Sequence, residues 1–476
     1  MDKKNYYLFG FCVLFLIIKL ISITTTNFNL YGDEAQYWIW SKNLAFGYYS
    51  KPPLLAWIIR AYNAFGGDSF VILKLIPISL YCLTSYLIFI LTNKLWDNSF
   101  LSFLTAMTFF LLPSVSLSSF LITTDVVLVL FWVAGLIMVL KIREESSLKN
   151  FILLGLVVGF CFLAKYAAIY FIVSLIILIV VEKEFKKSLL KSKINILISF
   201  LIFLIIISPN IIWNFQNNWV TLSHTADNAS LENININIRN FFEFILVQVV
   251  MVGPILFIAF LFYFLKNIKI STNEKFLVCF FLPTFLFILI ESLFVRAHAN
   301  WAAVSLVSLV VLLVKIVYKF NKKIIYLNNY FNLIIGLVLF MMIGTTYHLG
   351  FFDRIRGFDN LISFVNETNK NHINNFVLND RLLFANLNYA YRSKNKKFYS
   401  THKPKTKINH HFQINNALPI NFSENFIFIG YEDEIDYWIN EKEINYLKNK
   451  KIIRQLGSKT FPFTKQNLEI YEVIFE

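Results

Sequence analysis

The chain has 476 residues, of which 57% are apolar and only 15% are charged. The apolar residues fall in runs long enough to cross a bilayer, which excludes an ordinary soluble protein. The formal net charge of +15 does not indicate a nucleic-acid partner, because the lysines gather in short clusters between the apolar runs. Such clusters are typical of cytoplasmic loops. The composition therefore predicts a polytopic membrane protein.

Eleven apolar segments predict membrane-spanning helices. They lie near residues 6–26, 70–92, 100–120, 122–140, 151–165, 167–182, 194–212, 240–265, 276–294, 300–319 and 330–349. If the N-terminus is cytoplasmic, every inner loop carries lysine or arginine, as the positive-inside rule requires. Nearly all of the polar residues of interest then lie on the opposite, non-cytoplasmic face.

The composition becomes polar from about residue 350. Residues 425–430 (NFIFIG) and 468–475 (LEIYEVIF) read as strands, and residues 432–440 show a helical pattern. A segment of this length fits one small domain. The sequence predicts an all-α membrane domain at 1–349, followed by a soluble α/β domain at 350–476 on the non-cytoplasmic side.

Two adjacent carboxylates, Asp33 and Glu34, follow the first predicted helix in the segment YGDEAQYWIW. A carboxylate at the membrane boundary can accept a proton from an attacking hydroxyl, which is general base catalysis. Neighbouring side chains point in different directions, so one carboxylate would be the base and the other an orienting group. The alternative is that Asp33 is only a helix N-cap, with Gln36 completing a capping box.

The segment around these carboxylates is rich in aromatic side chains. Most of them are expected to form an interfacial belt at the membrane surface, and one or two to stack on a sugar. They are Tyr37, Trp38, Trp40, Tyr48, Tyr49 and Trp57.

Three basic residues lie on the same predicted face. Lys51 precedes two prolines that stiffen the backbone, so its ammonium would be fixed to bind a phosphate; a snorkelling lysine is the alternative. Lys165 lies between two short apolar runs without a nearby acid, so a bound phosphate or Asp125 would be its partner. Arg296 lies in a short outer turn with His298, where it either contacts a ligand or anchors the interface.

Asp125 opens an apolar helix in the segment ITTDVVLVLFW and so lies near the membrane boundary. An ionisable residue at membrane depth is costly and is by default a functional candidate. The alternative is helix capping, because Thr123, Thr124 and Asp125 are all good N-cap residues.

Taken in order, these segments resemble the dolichyl-phosphate-mannose protein mannosyltransferase type of membrane glycosyltransferase, family 39, which has the GT-C architecture. Bacterial members of this family include the lipid A aminoarabinose transferase and lipopolysaccharide sugar transferases. The resemblance covers about residues 28–310. It is carried by YGDEAQYWIWSKNLAFGYYSKPPLLAW, ITTDVVLVLFW, FLAKYAA, SPNIIWNFQNNWVTLSH and RAHANWAAVSLV.

The resemblance implies a sugar donor on a polyprenyl phosphate, an acceptor presented outside the cytoplasm, and inversion at the anomeric carbon. It implies that Asp33 is the essential acid of the first outer loop, with Glu34 as its partner, and that Asp125 is the second acidic position. Lys51 and Lys165 match basic residues of the family, and Lys51 would face the lipid phosphate. Fixed cations in a cavity of low dielectric constant would stabilise the charge of the departing phosphate, a role that also suits Arg296.

No metal or other cofactor is expected, although a divalent ion stays open. In the aminoarabinose transferase an acidic residue associated with a metal stands immediately before the lysine, whereas here Ser50 precedes Lys51. The adjacent His410 and His411 are poorly placed to chelate one ion, and we expect them on a solvated surface.

Two function classes remain at this point. The first is a glycosyltransferase of the bacterial inner membrane, with its active site facing the periplasm and lipid A, lipopolysaccharide or protein as acceptor. The second is a transporter or flippase of lipid-linked sugars. Transporters place polar residues near mid-membrane in broken helices and show repeat symmetry, and neither feature is clear in this sequence.

Overall fold

The computed structural model describes residues 3–228, 236–264, 270–295, 297–402, 407–419, 421–435, 451–464 and 466–475. The chain divides into two compact units. Unit 1 comprises Met1–Thr24 and Ala45–Met342, and unit 2 comprises Thr25–Leu44 and Ile343–Glu476. Residues 25–44, which the sequence assigned to the membrane domain, therefore belong with the C-terminal residues. The predicted domain boundary at 349/350 itself stays a prediction.

Most of the first seventeen described helices are apolar. They are α1 (Lys3–Thr25), α2 (Gly32–Lys42), α3 (Leu54–Gly66), α4 (Phe70–Trp96), α5 (Ser99–Phe110), α6 (Pro113–Ser118), α7 (Thr124–Glu144), α8 (Leu148–Ala164), α9 (Ile169–Val181), α10 (Lys183–Lys191), α11 (Lys193–Gln216), α12 (Val220–Asn228), α13 (Ile238–Val252), α14 (Pro254–Phe264), α15 (Thr272–Phe294), α16 (Ala303–Phe320) and α17 (Lys322–Gly344). Helices α2, α10 and α12 are the more polar ones. Of the seventeen, α2 belongs to unit 2, and the others form unit 1.

Each of the eleven predicted spans falls on a helix or a pair of helices in unit 1, but not all of these helices are long enough to cross a membrane. Seven are long and apolar enough to cross a membrane, namely α1, α4, α7, α11, α15, α17 and α16 with the turn before it. Two further predicted spans fall on helix pairs that bend by 104°, α9 with α10 and α13 with α14, and the number of spans is nine if each pair is one span. The last two predicted spans fall on α5 and α8, apolar helices of 12 and 17 residues that are shorter than a full span, so the described residues support seven to nine spans where the sequence predicted eleven. The prediction of a helical, multi-span membrane protein is confirmed.

Helices α7 and α16 form the centre of unit 1, because 78% of each apolar window is buried, against 6% for α11. Two lysines are also fully buried in this unit, and aromatic rings surround them. Lys19 Nζ donates to Ser119 Oγ at 2.9 Å and lies 4.4 Å from the centre of the Phe15 ring. Lys74 Nζ donates to the Phe120 carbonyl at 2.9 Å. Hydrogen bonds and cation–π contacts thus replace the hydration of these ammonium groups.

Helices α8 and α11 approach closely because two glycines of α8 face α11. A Cβ on Gly155 would come within 2.4 Å of the Ser199 carbonyl oxygen, and one on Gly159 within 2.7 Å of the Ile206 side chain. The two glycines are four residues apart, which is the small-xxx-small pattern of membrane helix pairs.

Unit 2 contains a five-stranded sheet with the order β2-β1-β3-β5-β4. Its strands are β1 (Asn375–Leu378), β2 (Lys397–Ser400), β3 (Phe426–Tyr431), β4 (Lys451–Lys459) and β5 (Leu468–Phe475), and its helices after α17 are α18 (Phe358–Thr368), α19 (Arg381–Ala390), α20 (Phe412–Asn415) and α21 (Glu432–Ile435). β1 pairs in parallel with β2 and β3, and β5 lies antiparallel between β3 and β4.

The sheet confirms the prediction of a small C-terminal α/β domain, including strands at 425–430 and 468–475. β1 is buried along its whole length and β3 along all but its last residue, as continuous apolar strands in the middle of a sheet require. The helix predicted over 432–440 is present as α21, and residues 436–440 lie outside the described residues.

The contact between α8 and α11 makes a prediction about stability. We expect Gly155→Leu to lower the free energy of unfolding by about 1–3 kcal/mol, because the new side chain must displace the backbone of α11. Thermal unfolding of the purified protein in detergent measures the change. Gly10→Leu on α1 is the matched control, since a Cβ there meets nothing within 4 Å. Equal midpoints for the two variants would contradict the close contact.

Candidate functional site

Asp125 lies in unit 1 at the second position of α7, and only 8% of its surface is exposed. Its Oδ1 accepts a hydrogen bond from Lys165 Nζ at 2.6 Å, and its Oδ2 accepts one from Asn300 Nδ2 at 2.7 Å. The N-terminal end of a helix also favours a negative charge. We call these three residues the Asp125 cluster.

The Asp125 cluster confirms one of the two partners that the sequence offered for Lys165. It also argues against a pure capping role for Asp125, because the helix follows Thr123 and both carboxylate oxygens accept from side chains of other segments. Asn300 was missed, although it stands in the segment RAHANWAAVSLV that carries the resemblance. An amide next to a buried ion pair leaves no separate signal in a single sequence.

Lys51 also lies in unit 1, in the loop that leads to α3. Three side chains hold this loop by donating to its backbone carbonyls: Trp57 Nε1 to Ala45 (3.0 Å), Asn210 Nδ2 to Phe46 (2.6 Å) and Thr221 Oγ1 to Tyr48 (2.7 Å). The backbone next to Lys51 is therefore fixed by more than its two prolines.

A hydrogen-bond network connects this loop with the turn that follows α8. Tyr166, next to Lys165, donates its hydroxyl proton to Asn210 Oδ1 at 2.8 Å and accepts from Asn214 Nδ2 at 3.0 Å. Asn210 and Asn214 are one turn apart on α11 and are almost fully buried. Asn210 thus contacts both segments that carry the predicted lysines. Its segment, SPNIIWNFQNNW, is part of the sequence resemblance, but nothing in the sequence indicates this role of Asn210.

Asp33 and Glu34 lie in unit 2 on helix α2, and the structure gives them different tasks. Glu34 is 1% exposed, and its Oε2 accepts the Tyr31 backbone N–H at 2.8 Å. Glu34 therefore caps the start of α2. The alternative of Asp33 as N-cap with Gln36 in the capping box is wrong, because the N-cap is Tyr31 and the helix begins two residues earlier than that register requires.

The Asp33 side chain is 35% exposed, and its Oδ1 accepts a hydrogen bond from Arg381 Nη1 at 2.7 Å. The same nitrogen of Arg381 donates to Gln36 Oε1 at 3.1 Å. Arg381 is the first residue of α19. The sequence reasoning missed it because 348 residues separate it from Asp33 and no motif surrounds it.

The aromatic side chains of α2 do not form the predicted interfacial belt. Trp38 and Trp40 are 4% and 2% exposed. Their rings contact Tyr389 at 5.0 Å and His411 at 5.3 Å between ring centres. For these two residues the prediction was wrong, because α2 packs on elements of the C-terminal region.

The prediction of a solvated surface at His410 and His411 was also wrong. The residues are 7% and 5% exposed, since the turn that holds them leads into the buried Phe412 of α20. His410 Nε2 donates to the Asn379 carbonyl at 2.9 Å, and His411 Nε2 accepts from Asn415 Nδ2 at 3.1 Å. Burial lowers the pKa of His410 to about 4 and that of His411 to about 3. Both imidazoles are neutral at pH 7.

Arg296, the remaining predicted site residue, lies outside the described residues. Within the part of the chain that the structure describes, no three His, Cys, Asp or Glu side chains converge as metal ligands would. The expectation that no cofactor is needed stays a prediction.

Comparison with known proteins supports the resemblance drawn from the sequence. A family model described as dolichyl-phosphate-mannose-protein mannosyltransferase matches residues 50–213. Lipid A galacturonosyltransferase RgtD of Rhizobium johnstonii is 31% identical over 303 residues, which cover 63% of this chain and 63% of that protein. The chain thus matches somewhat less than two thirds of the length of this relative.

Two crystal structures of ArnT from Cupriavidus metallidurans share the fold of this chain. The TM-score is 0.70 for the structure bound to undecaprenyl phosphate, with 98% of both chains covered, and 0.67 for the apo structure, with 98% of this chain and 97% of ArnT covered. The identity is 10% in both cases, so the comparison establishes the fold alone. The predicted GT-C architecture is confirmed.

The Asp125 cluster makes a prediction about stability. We expect Asp125→Leu to cost about 3–5 kcal/mol, because it leaves the Lys165 ammonium without its counter-charge in a largely buried site. The double variant Asp125→Leu/Lys165→Met should recover much of the loss. Glu144→Leu is the control, since it breaks the more exposed Lys94–Glu144 pair, which is worth about 0–1 kcal/mol. A double variant as unstable as Asp125→Leu would contradict the pairing.

The buried His410 predicts a pH dependence of stability. Its pKa is about 4 in the folded protein and 6.5 in the unfolded chain, so the unfolded chain binds more protons between these values. Above pH 6.5 the buried neutral His410 does not reduce the free energy of unfolding. As the pH falls from 6.5 towards 4, the unfolded chain takes up a proton at this residue and the free energy of unfolding falls. We expect the fall in the unfolding midpoint between pH 7.5 and pH 5 to be smaller in His410→Asn. His372→Asn, at an exposed position, should leave the wild-type fall unchanged.

Proposed function

We propose that this chain is an integral membrane glycosyltransferase. It transfers a sugar, with inversion, from a polyprenyl-phosphate donor to an acceptor on the non-cytoplasmic face of the bacterial inner membrane. The observation that carries the proposal is the Asp125–Lys165 pair, a largely buried acid and base within the residues that the mannosyltransferase family model matches.

The chemistry assigns a role to each candidate residue. The acceptor hydroxyl attacks the anomeric carbon, its proton passes to the Asp33 carboxylate, and the bond between this carbon and the phosphate oxygen breaks. The leaving polyprenyl phosphate keeps the electron pair. Lys51 and Lys165 stabilise its charge, and Asp125 with Asn300 holds Lys165 in position. Arg296 is proposed for the same phosphate on the sequence resemblance alone.

The partial exposure of Asp33 supports the role of base, because a carboxylate must be accessible to take a proton. Glu34 is buried and accepts the backbone N–H of Tyr31, which suits the orienting role. It would act on the base through the start of helix α2.

Lipid A is the acceptor that we favour over a protein hydroxyl, because the relative RgtD is a lipid A galacturonosyltransferase. The transporter alternative has less support, since the matching family and the similar proteins are glycosyltransferases.

Transfer by purified protein in detergent tests the proposal. We expect the wild type to move labelled sugar from a polyprenyl phosphate to lipid A, and Asp33→Asn to reduce this transfer by at least about 100-fold, because the base is lost. Detergent leaves no two compartments, so a transporter would give no product.

The matched control is Asp97→Asn, the same change at an exposed position with φ 46°, where asparagine is well tolerated. This variant should transfer at the wild-type rate. Full activity of Asp33→Asn would remove Asp33 from the role of base, and absence of transfer by the wild type with every donor and acceptor offered would count against the enzyme itself.

A further inference from the structure

Arg381 contacts the proposed base from the C-terminal part of the chain. Its Nη1 donates to Asp33 Oδ1 at 2.7 Å and to Gln36 Oε1 at 3.1 Å, so one nitrogen spans two side chains on the first turns of α2. Asp33 Oδ2 accepts no hydrogen bond from the described residues. One oxygen of the carboxylate is therefore held, and the other is available.

The backbone that carries Arg381 is fixed by its neighbours. Asp380 caps α19, since its Oδ1 accepts the N–H groups of Leu382 at 2.9 Å and Leu383 at 2.8 Å. On the other side, a Cβ on Gly32 would come within 2.5 Å of the Leu382 side chain. Only a glycine at the start of α2 allows this approach to α19. The first residues of α2 and α19 are thus in close contact, and Asp33 and Arg381 lie at this contact.

The charges around Arg381 favour its ionised form. Burial opposes the charge, but Asp33, Tyr37 and Asp380 raise the pKa of Arg381 above its usual value. His410, which also faces the guanidinium, stays neutral because burial lowers its pKa to about 4. Arg381 therefore keeps a permanent positive charge at Asp33.

We propose that Arg381 is a positioning residue for the transfer reaction, which holds Asp33 Oδ1 so that Oδ2 receives the proton of the acceptor hydroxyl. This inference rests on the proposed function and extends it. In this way the C-terminal domain contributes to the base through α19. Arg381 contacts neither the donor nor the acceptor in this account.

Steady-state kinetics of the purified full-length protein test the inference. We expect Arg381→Ala to lower kcat about 10- to 100-fold. Without Arg381 the Asp33 carboxylate can rotate, so it is oriented towards the acceptor hydroxyl for a smaller fraction of the time. KM for donor and acceptor should stay within about twofold of the wild type, since no substrate contact is lost. Millimolar guanidinium ion should restore part of kcat by occupying the vacated position.

Arg381→Lys is the conservative variant. Its single ammonium is compact and lacks the planar fork, so we expect a kcat between those of Arg381→Ala and the wild type. Arg392→Ala is the matched control, because Arg392 follows the other end of α19, where its guanidinium donates to the Tyr389 carbonyl oxygen at 2.9 Å and lies over the Tyr389 ring. It should keep the wild-type kcat and should not respond to guanidinium.

The possible results distinguish the positioning role of Arg381 from the glycosyltransferase activity itself. A wild type that transfers sugar together with an Arg381→Ala variant of unchanged kcat would overturn the positioning role and leave the enzyme intact. A loss of activity that follows the loss of folded protein and does not respond to guanidinium would also overturn it, in favour of a structural role. A wild type without any transfer would overturn the proposed function, and this inference with it.

Discussion

The ion pair between Asp125 and Lys165 is the interaction on which the account of unit 1 depends. A charge within an apolar helical unit is costly unless a partner satisfies it, so each such group constrains the packing around it. Here the carboxylate has one partner for each oxygen, Lys165 and Asn300. The pair fixes the turn after α8, and the Tyr166–Asn210 hydrogen bond extends this order to the loop of Lys51. A cation at a fixed position is what stabilisation of a leaving phosphate requires.

In unit 2 the adjacent carboxylates Asp33 and Glu34 differ in their contacts, and the difference follows from their burial. Glu34 is buried and its carboxylate accepts a backbone N–H. Asp33 is partly exposed, and only its Oδ1 accepts a hydrogen bond from the described residues. Two adjacent acids of the same sequence motif thus divide into a structural residue and an accessible one. Arg381 of α19 holds one oxygen of Asp33, and the close contact between Gly32 and Leu382 aligns the two helices.

The sequence was informative wherever a signal is local. Apolar runs located the seven long apolar helices and the two bent helix pairs, and the isolation of Lys165 in an apolar context pointed to Asp125, because a buried charge needs a partner. It was uninformative about Arg381, because 348 residues separate it from Asp33 and only the fold of unit 2 brings the two together. It was misleading for Trp38, Trp40 and the two adjacent histidines, since residues of amphipathic character suit a surface and an interior equally until the packing partner is known. The predicted roles of the site residues remain proposals.

The central claim is that this chain transfers a sugar to a lipid and needs the Asp33 carboxylate to do so. Mass spectrometry of lipid A and core oligosaccharide tests it most directly, in cells that lack the gene and in the same cells complemented by wild type or by Asp33→Asn. The account predicts that one sugar increment disappears with the gene and returns only with the wild type. Unchanged glycolipids in all strains, or full restoration by Asp33→Asn, would contradict it.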